Sequence, residues 1–168
     1  GAPAIHGSHV LIAVGRSPNT DDLGLDRAGV TTNARGYIEV DDELRTSVPG
    51  IWALGEVNGR GSFTHTAYND FEIVASNLLD GESRKVTDRI DCSAIYTDPP
   101  LARFGLNETA ARKSAGKYRM ATRPMSRVNR SVTKGDSQGF MKAIVDAETD
   151  RIVGATILGI EGDEAIHG

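Results

Sequence analysis

The chain has 168 residues, enough for one ordinary domain or two small ones. Hydrophobic residues make up 39% and charged residues 25%, a globular composition that excludes intrinsic disorder. The net charge of −4 argues against a nucleic-acid partner, and no apolar run approaches the roughly 20 residues of a membrane helix.

His9–Val14 is a near-continuous apolar run, which predicts a strand buried on both faces of a parallel sheet. Ser17-Pro18-Asn19 follows as a turn, since the residue before proline is pushed out of the helical region. Leu23, Leu25, Ala28 and Val30 fit one helical turn ending at Gly29, and Tyr37–Val40 alternates like a short strand. Asp41-Asp42-Glu43 reads as a solvated loop, because consecutive acids do not face one point as metal ligands must. His6 and His9 would face opposite sides of an extended segment, and the histidines as a group predict no metal site.

The segment 46–57 predicts the organising feature of the first half. Val48-Pro49-Gly50 is turn chemistry, Ile51–Leu54 a short buried strand, and Gly55-Glu56 its carboxyl end. Open α/β sheets bind ligands at that end, where a carboxylate accepts hydrogen bonds from ribose or ribitol hydroxyls. Alone, a buried strand ending in a solvated acid is the plainer reading. The glycine-rich loop Asn58–Ser62 then leads into a helix with apolar positions at Ala67, Phe71, Val74, Ala75 and Leu78, stopping at Asp80-Gly81. A helix N-terminus offers free N–H groups and a partial positive charge, suited to a phosphate or to the carbonyl edge of a flavin. The competing reading is an ordinary glycine loop capping a surface helix.

Residues 82–90 read as a charged linker, giving domains 1–88 and 89–168. Beyond it the pattern becomes meandering strands: one over 91–96, a break at Pro99-Pro100, and a hairpin of 139–145 with 151–159 joined by Asp146–Asp150. Asn107 is placed to N-cap a helix over Glu108–Ser114, closed by Gly116. The basic run Arg119, Arg123, Arg127, Arg130 and Lys134 lacks interleaved aromatics and reads as a solvated strand edge. Cys92 is the single cysteine, read as a buried inert thiol; with no basic-then-apolar leader, this fits a reducing cytoplasm. The unpartnered first strand and the helix start at Gly162–Gly168 point to a piece of a longer protein.

In order, His9–Thr20 with its Gly15-Arg16-Ser17-Pro18-Asn19-Thr20, Gly50–Val57, Phe63–Ala67, Thr97–Pro100 and the 139–159 hairpin resemble the C-terminal part of the pyridine nucleotide–disulfide oxidoreductases. The mercuric reductase, dihydrolipoamide dehydrogenase and reactive-chlorine flavoprotein branches are the nearest in character. The resemblance implies an α/β piece at 1–88, the closing strand of a nicotinamide domain and the back half of an FAD domain. A truncated α+β interface domain follows at 89–168.

It further implies FAD and NAD(P)H as cofactors, with Gly15, Arg16, Gly55, Glu56, Phe63 and Thr64 near the flavin. Thr64 would bind the ring through its backbone N–H. The family carries Asp where this chain has Glu56; the ribitol contact then survives through a shifted rotamer or a bridging water, or is lost. The implied activity passes electrons from NAD(P)H through FAD to a cysteine pair and on to a small-molecule disulfide or a metal ion, in a homodimer. No Gly-x-Gly-x-x-Gly, Cys-x4-Cys or family His-x4-Glu occurs here, so no catalytic residue is assigned and the 168-residue chain alone is expected to be inactive. A non-catalytic dimerisation or binding module derived from the family is the alternative. A monooxygenase or ferredoxin reductase on the same two-dinucleotide fold fits less well, given the segments 97–100 and 139–159.

Overall fold

The structure, a computed structural model, describes residues 3–167. The chain divides into two compact units, Gly1–Asp88 and Arg89–Gly168.

The first unit is built from turns, short helices and isolated bridges around two apolar clusters. Helix α1 spans Leu25–Ala28 and stops at Gly29, whose φ of 76° places it in the left-handed region that favours glycine. Val30, Ile38 and Ala53 form one buried cluster, joined by Leu25, Val40, Val48 and Val57. Leu44, Ile73 and Val74 form the other, with Trp52, Leu54 and Val86 packed on them. Helix α2 spans Thr64–Ala75; a turn of π-helix over Ser76–Asp80 extends it to Gly81, at φ 70°.

Four expectations for this unit change. Residues 9–14 form no strand, and Val10, Leu11, Ile12 and Val14 are 76–90% exposed. A strand is defined by the hydrogen bonds of a neighbour, and among the described residues no segment pairs with this one. Ile51–Leu54 makes only the isolated bridge from Trp52 to Arg45 rather than a laddered strand, yet both its sides are covered. Ala53 packs in the first cluster and Trp52 and Leu54 on the second, with Ile51 at its exposed start. Tyr37–Val40 contributes only the bridge from Ile38 to Thr32.

The buried face of α2 is Thr66, Asp70, Ile73 and Val74, while Phe71 and Leu78 are more than half exposed. A buried carboxylate is invisible to apolar periodicity, and here it displaces the expected stripe. The acidic cluster is a turn: Asp41 Oδ1 accepts from the N–H groups of Glu43 and Arg45, each at 2.9 Å. That turn drives Leu44 fully into the core with φ 65°.

The second unit is a five-stranded antiparallel sheet with short helices. Its strands are β1 Cys92–Ile95, β2 Leu101–Gly105, β3 Tyr118–Pro124, β4 Phe140–Asp146 and β5 Ile152–Leu158. They lie in the order β1-β2-β5-β4-β3. The expected hairpin is β4–β5, with Phe140 opposite Leu158 and a register shift at Ile144/Val145. Asp146 organises its loop by accepting from the Thr149 N–H (2.8 Å) and hydroxyl (2.9 Å) and from the Glu148 N–H (3.0 Å), which holds its carboxyl below the usual range.

Gly154 is required because a Cβ there would lie 2.0 Å from the Leu106 carbonyl oxygen. β3 is an edge strand, largely exposed and carrying Arg119 and Arg123. Helix α3, Glu108–Lys113, begins with the Ala110 N–H donating to Asn107 Oδ1 at 2.8 Å, the expected cap; it ends at Ser114 rather than Gly116. Helices α4 (Asn129–Lys134) and α5 (Gly162–Ala165) complete the unit, and Ile166 packs on Ala94 and Ala102. The expected helix start at 162–168 is thus a single short helix, with Gly168 outside the described residues. Cys92 is half-buried, which raises its thiol pKa, and its Sγ lies 3.4 Å from His167 Nδ1. The mixed helix–sheet class read from the sequence holds, and among the described residues all regular strand pairing lies in one antiparallel sheet.

Candidate functional site

Within the first unit, the extended segment ending at Leu54 turns sharply at Gly55, whose φ is 78°. It enters a 3-10 turn over Gly55–Asn58, and Gly59, at φ 71°, ends it. A Cβ on Gly55 would already sit 3.4 Å from the Ala67 side chain, so the turn rests directly against the first turns of α2. The buried Asp70 of α2 fixes that contact. Its Oδ2 accepts from the Gly55 N–H at 2.8 Å and from Asn58 Nδ2 at 2.9 Å, and Asn58 Nδ2 also donates to the Ala53 carbonyl at 3.0 Å.

The glycine-rich loop is pinned in the same way. The Arg60 N–H donates to Asn58 Oδ1 at 2.8 Å, and its guanidinium reaches the Val40 carbonyl at 2.9 Å and Asp42 Oδ1 at 3.0 Å. Gly61 presses on α2 so closely that a Cβ would fall 2.3 Å from Thr66 Cγ2. The loop is therefore held by side-chain hydrogen bonds at its Asn58–Arg60 end and by close packing of Gly61 on Thr66 at the other, unlike a loose surface connection.

Helix α2 starts at Thr64 with no side chain capping it; Phe63, at φ −114° and ψ 152°, precedes it. The Phe63 and His65 rings stack with centroids 5.2 Å apart and planes 13° from parallel. Glu56 points to solvent and is bonded by the Arg16 guanidinium at 2.6 Å. Two concavities meet here. One of about 380 Å³ is bounded by Arg16, Pro18, Asn19, Tyr37, Glu56 and Val57, and one of about 180 Å³ by Tyr37, Glu56, Gly59, Gly61 and Ser62.

Of the six residues singled out in sequence, Arg16 and Glu56 are in direct contact, Gly55 forms the turn beneath Glu56, and Phe63-Thr64 opens α2. Gly15, at φ 116°, immediately precedes Arg16 in the exposed stretch. Tyr37 and Asp70 carry no site role in the sequence analysis, and Asn58 and Arg60 enter it only as part of the glycine-rich loop. Asp70 interrupts an otherwise apolar helix face, and that interruption was the available signal. Chemically, the arrangement offers an acceptor carboxylate, a guanidinium, and an uncapped helix start with positive partial charge. These features fit a group bearing both hydroxyls and carbonyl acceptors, as the ribitol and ring of a flavin do. Among the described residues no three His, Cys, Asp or Glu side chains gather as a metal-binding group, and no helix is long and apolar enough to cross a membrane.

Solved structures share this chain path. The HOCl-induced flavoprotein disulfide reductase RclA from Escherichia coli superposes with a TM-score of 0.86 at 36% identity, over 96% of this chain and 39% of that one. LpdA from Mycobacterium tuberculosis gives 0.87 at 25% identity, over 97% and 36%. The family profile described as pyridine nucleotide-disulphide oxidoreductase matches residues 3–70, and its dimerisation domain matches 92–168. The chain belongs to the pyridine nucleotide-disulphide oxidoreductase family.

Among curated relatives, the probable pyridine nucleotide-disulfide oxidoreductase RclA of E. coli is 38% identical over 94% of this chain and 36% of its own length. Dihydrolipoyl dehydrogenase of Thermus scotoductus is 36% identical over 94% and 34%, and the chloroplastic/mitochondrial glutathione reductase of Pisum sativum is 36% identical over 96% and 29%. The chain thus spans about a third of the length of these relatives.

Proposed function

We propose that the full-length protein is an FAD-dependent NAD(P)H oxidoreductase of the disulfide-reductase type. Residues 1–88 form the end of its nicotinamide domain and the C-terminal part of its FAD domain, and residues 89–168 form its dimerisation domain. When bound, FAD passes electrons from NAD(P)H to a cysteine pair and onward to a disulfide or a metal ion.

The residues of this chain bind and orient. The Glu56 carboxylate accepts from ribitol hydroxyls, with Arg16 beside it holding the side chain in place. Gly15 and Gly55 let the backbone approach the cofactor, and the Thr64 N–H donates to the ring edge, with Phe63 packed alongside. The observation that supports this most is the locking of the Gly55-Glu56 turn onto the start of α2. It brings an acceptor and a donor end together on one rigid support.

A metal ion stays among the acceptors because one solved RclA structure is described as a Cu(II) complex. The dimerisation-domain match supports self-association, and the protein works as a homodimer through residues 89–168 in a cytoplasmic, reducing setting. The test is equilibrium titration of the full-length apoprotein with FAD, followed by flavin fluorescence. Saturable one-to-one binding that Glu56→Ala weakens is the expected result; binding indifferent to Glu56→Ala sinks the assignment.

A further inference from the structure

Asp70 is a charged side chain that is 1% exposed in a helix whose opposite face is in water. Burying a carboxylate costs heavily unless donors surround it, so its partners show what the site is built around. One partner is the backbone N–H of Gly55, the residue immediately before Glu56, at 2.8 Å. Another is the Asn58 amide, at 2.9 Å, which also ties back to the Ala53 carbonyl at 3.0 Å. One carboxylate oxygen thereby fixes the end of the extended segment and the 3-10 turn that aims Glu56. It does so from the helix whose first residue is Thr64.

We infer that Asp70 is the positioning residue of this site, setting where the Glu56 carboxylate stands relative to the start of α2. The inference rests on the FAD reading of the site. Asp70 touches no cofactor in this scheme and acts only through the turn. Glu56 carries one methylene more than the aspartate of the family pattern, so its reach depends more on how the Gly55 backbone is held. The clamp also accounts for the shifted buried face of α2. Thr66, Asp70, Ile73 and Val74 turn inward so that Asp70 faces the Gly55 turn, while Phe71 is left outside.

The experiment is a double-mutant cycle on FAD affinity in the full-length protein, using Asp70→Asn and Glu56→Gln, with the thermal midpoint of each apoprotein as the check on folding. Asp70→Asn keeps the shape but removes the charge that holds the Gly55 and Asn58 donors, and should weaken FAD about tenfold. In the Glu56→Gln background the same change should cost less than about threefold, because the group being positioned has already lost its charge. A merely structural Asp70 gives the same fold-loss in both backgrounds, and that result overturns the inference while leaving the FAD site intact. Wild-type protein that binds no FAD overturns the reading of the site and the inference with it.

If Asp70→Asn does not fold, Asn58→Ser removes one donor and leaves the Gly55 bond. It should show the same dependence on Glu56 at smaller amplitude. Failure of both variants to fold would make the network purely a matter of stability and would also overturn the inference.

Discussion

Replacing Thr64 by proline separates the backbone of the α2 start from its side chain. The proposed contact is the Thr64 N–H, and proline removes that donor and nothing else the helix needs. At the first position of a helix the N–H has no partner within the helix, and the fixed φ of proline is already helical. The residue before a proline must be extended, and Phe63 is, at φ −114° and ψ 152°. The helix's own first bonds, from the N–H groups of Thr66 and Ala67 to the Phe63 carbonyl at 3.1 Å, are untouched.

One hydrogen bond to a neutral carbonyl contributes about 1 kcal/mol net, so Thr64→Pro should weaken FAD about fivefold. Thr64→Ala, which keeps the N–H, should bind like the wild type. The assay is FAD titration of the full-length apoprotein, with far-UV circular dichroism to confirm an unchanged fold. Equal affinities for the proline and alanine variants would refute the placement of the ring edge at this helix start.

Glu56→Asp should tighten FAD in the same titration, because the shorter acid restores the family's ribitol acceptor. The exposed pair with Arg16 that it gives up contributes at most about 1 kcal/mol, and weaker binding by the aspartate variant would count against the reading. Glu108 pairs first with Lys142 and then with Arg112, and together they hold its carboxyl down at about 2. A depressed carboxylate stabilises the fold above its ordinary pKa of 4.5 and loses that contribution as pH falls from there toward about 2. Lys142→Met should therefore raise the Glu108 pKa toward 4.5, read by side-chain carbonyl NMR titration, and narrow the acid range over which the second unit stays folded. Ile73→Ala should destabilise the first unit by about 2–5 kcal/mol in urea unfolding, since Ile73 is 2% exposed beside the fully buried Leu44; a loss under about 1 kcal/mol would mean the cluster collapses around the gap.

The second unit was the more legible half of the sequence. The β4–β5 hairpin and the Asn107 cap rest on local signals, and local signals suffice for a meander of antiparallel strands. Of the basic run, only Arg119 and Arg123 lie on the edge strand β3, while Arg127 sits in a 3-10 turn and Arg130 and Lys134 on α4. The first unit depends on contacts distant in sequence. Residues 9–14 carry the composition of a buried strand, yet pairing is a property of two segments and periodicity sees only one. The Gly55-Glu56 turn and the glycine loop before α2 were visible as motifs. Their connection was not, because it runs through a buried acid at position 70 and an amide at position 58, polar residues that hydropathy assigns to the surface. The same blindness moved the expected apolar face of α2 onto Phe71 and Leu78, which the structure leaves exposed.

The most direct test of the central claim is an anaerobic titration of the purified full-length protein, reconstituted with FAD, with NADH and NADPH, watching the flavin absorbance. Bleaching of the bound flavin by one of the two nucleotides, with recovery on addition of a disulfide or a metal-ion acceptor, is the predicted result. A protein that binds FAD yet shows no bleaching with either nucleotide, or that holds no flavin at all, would contradict it.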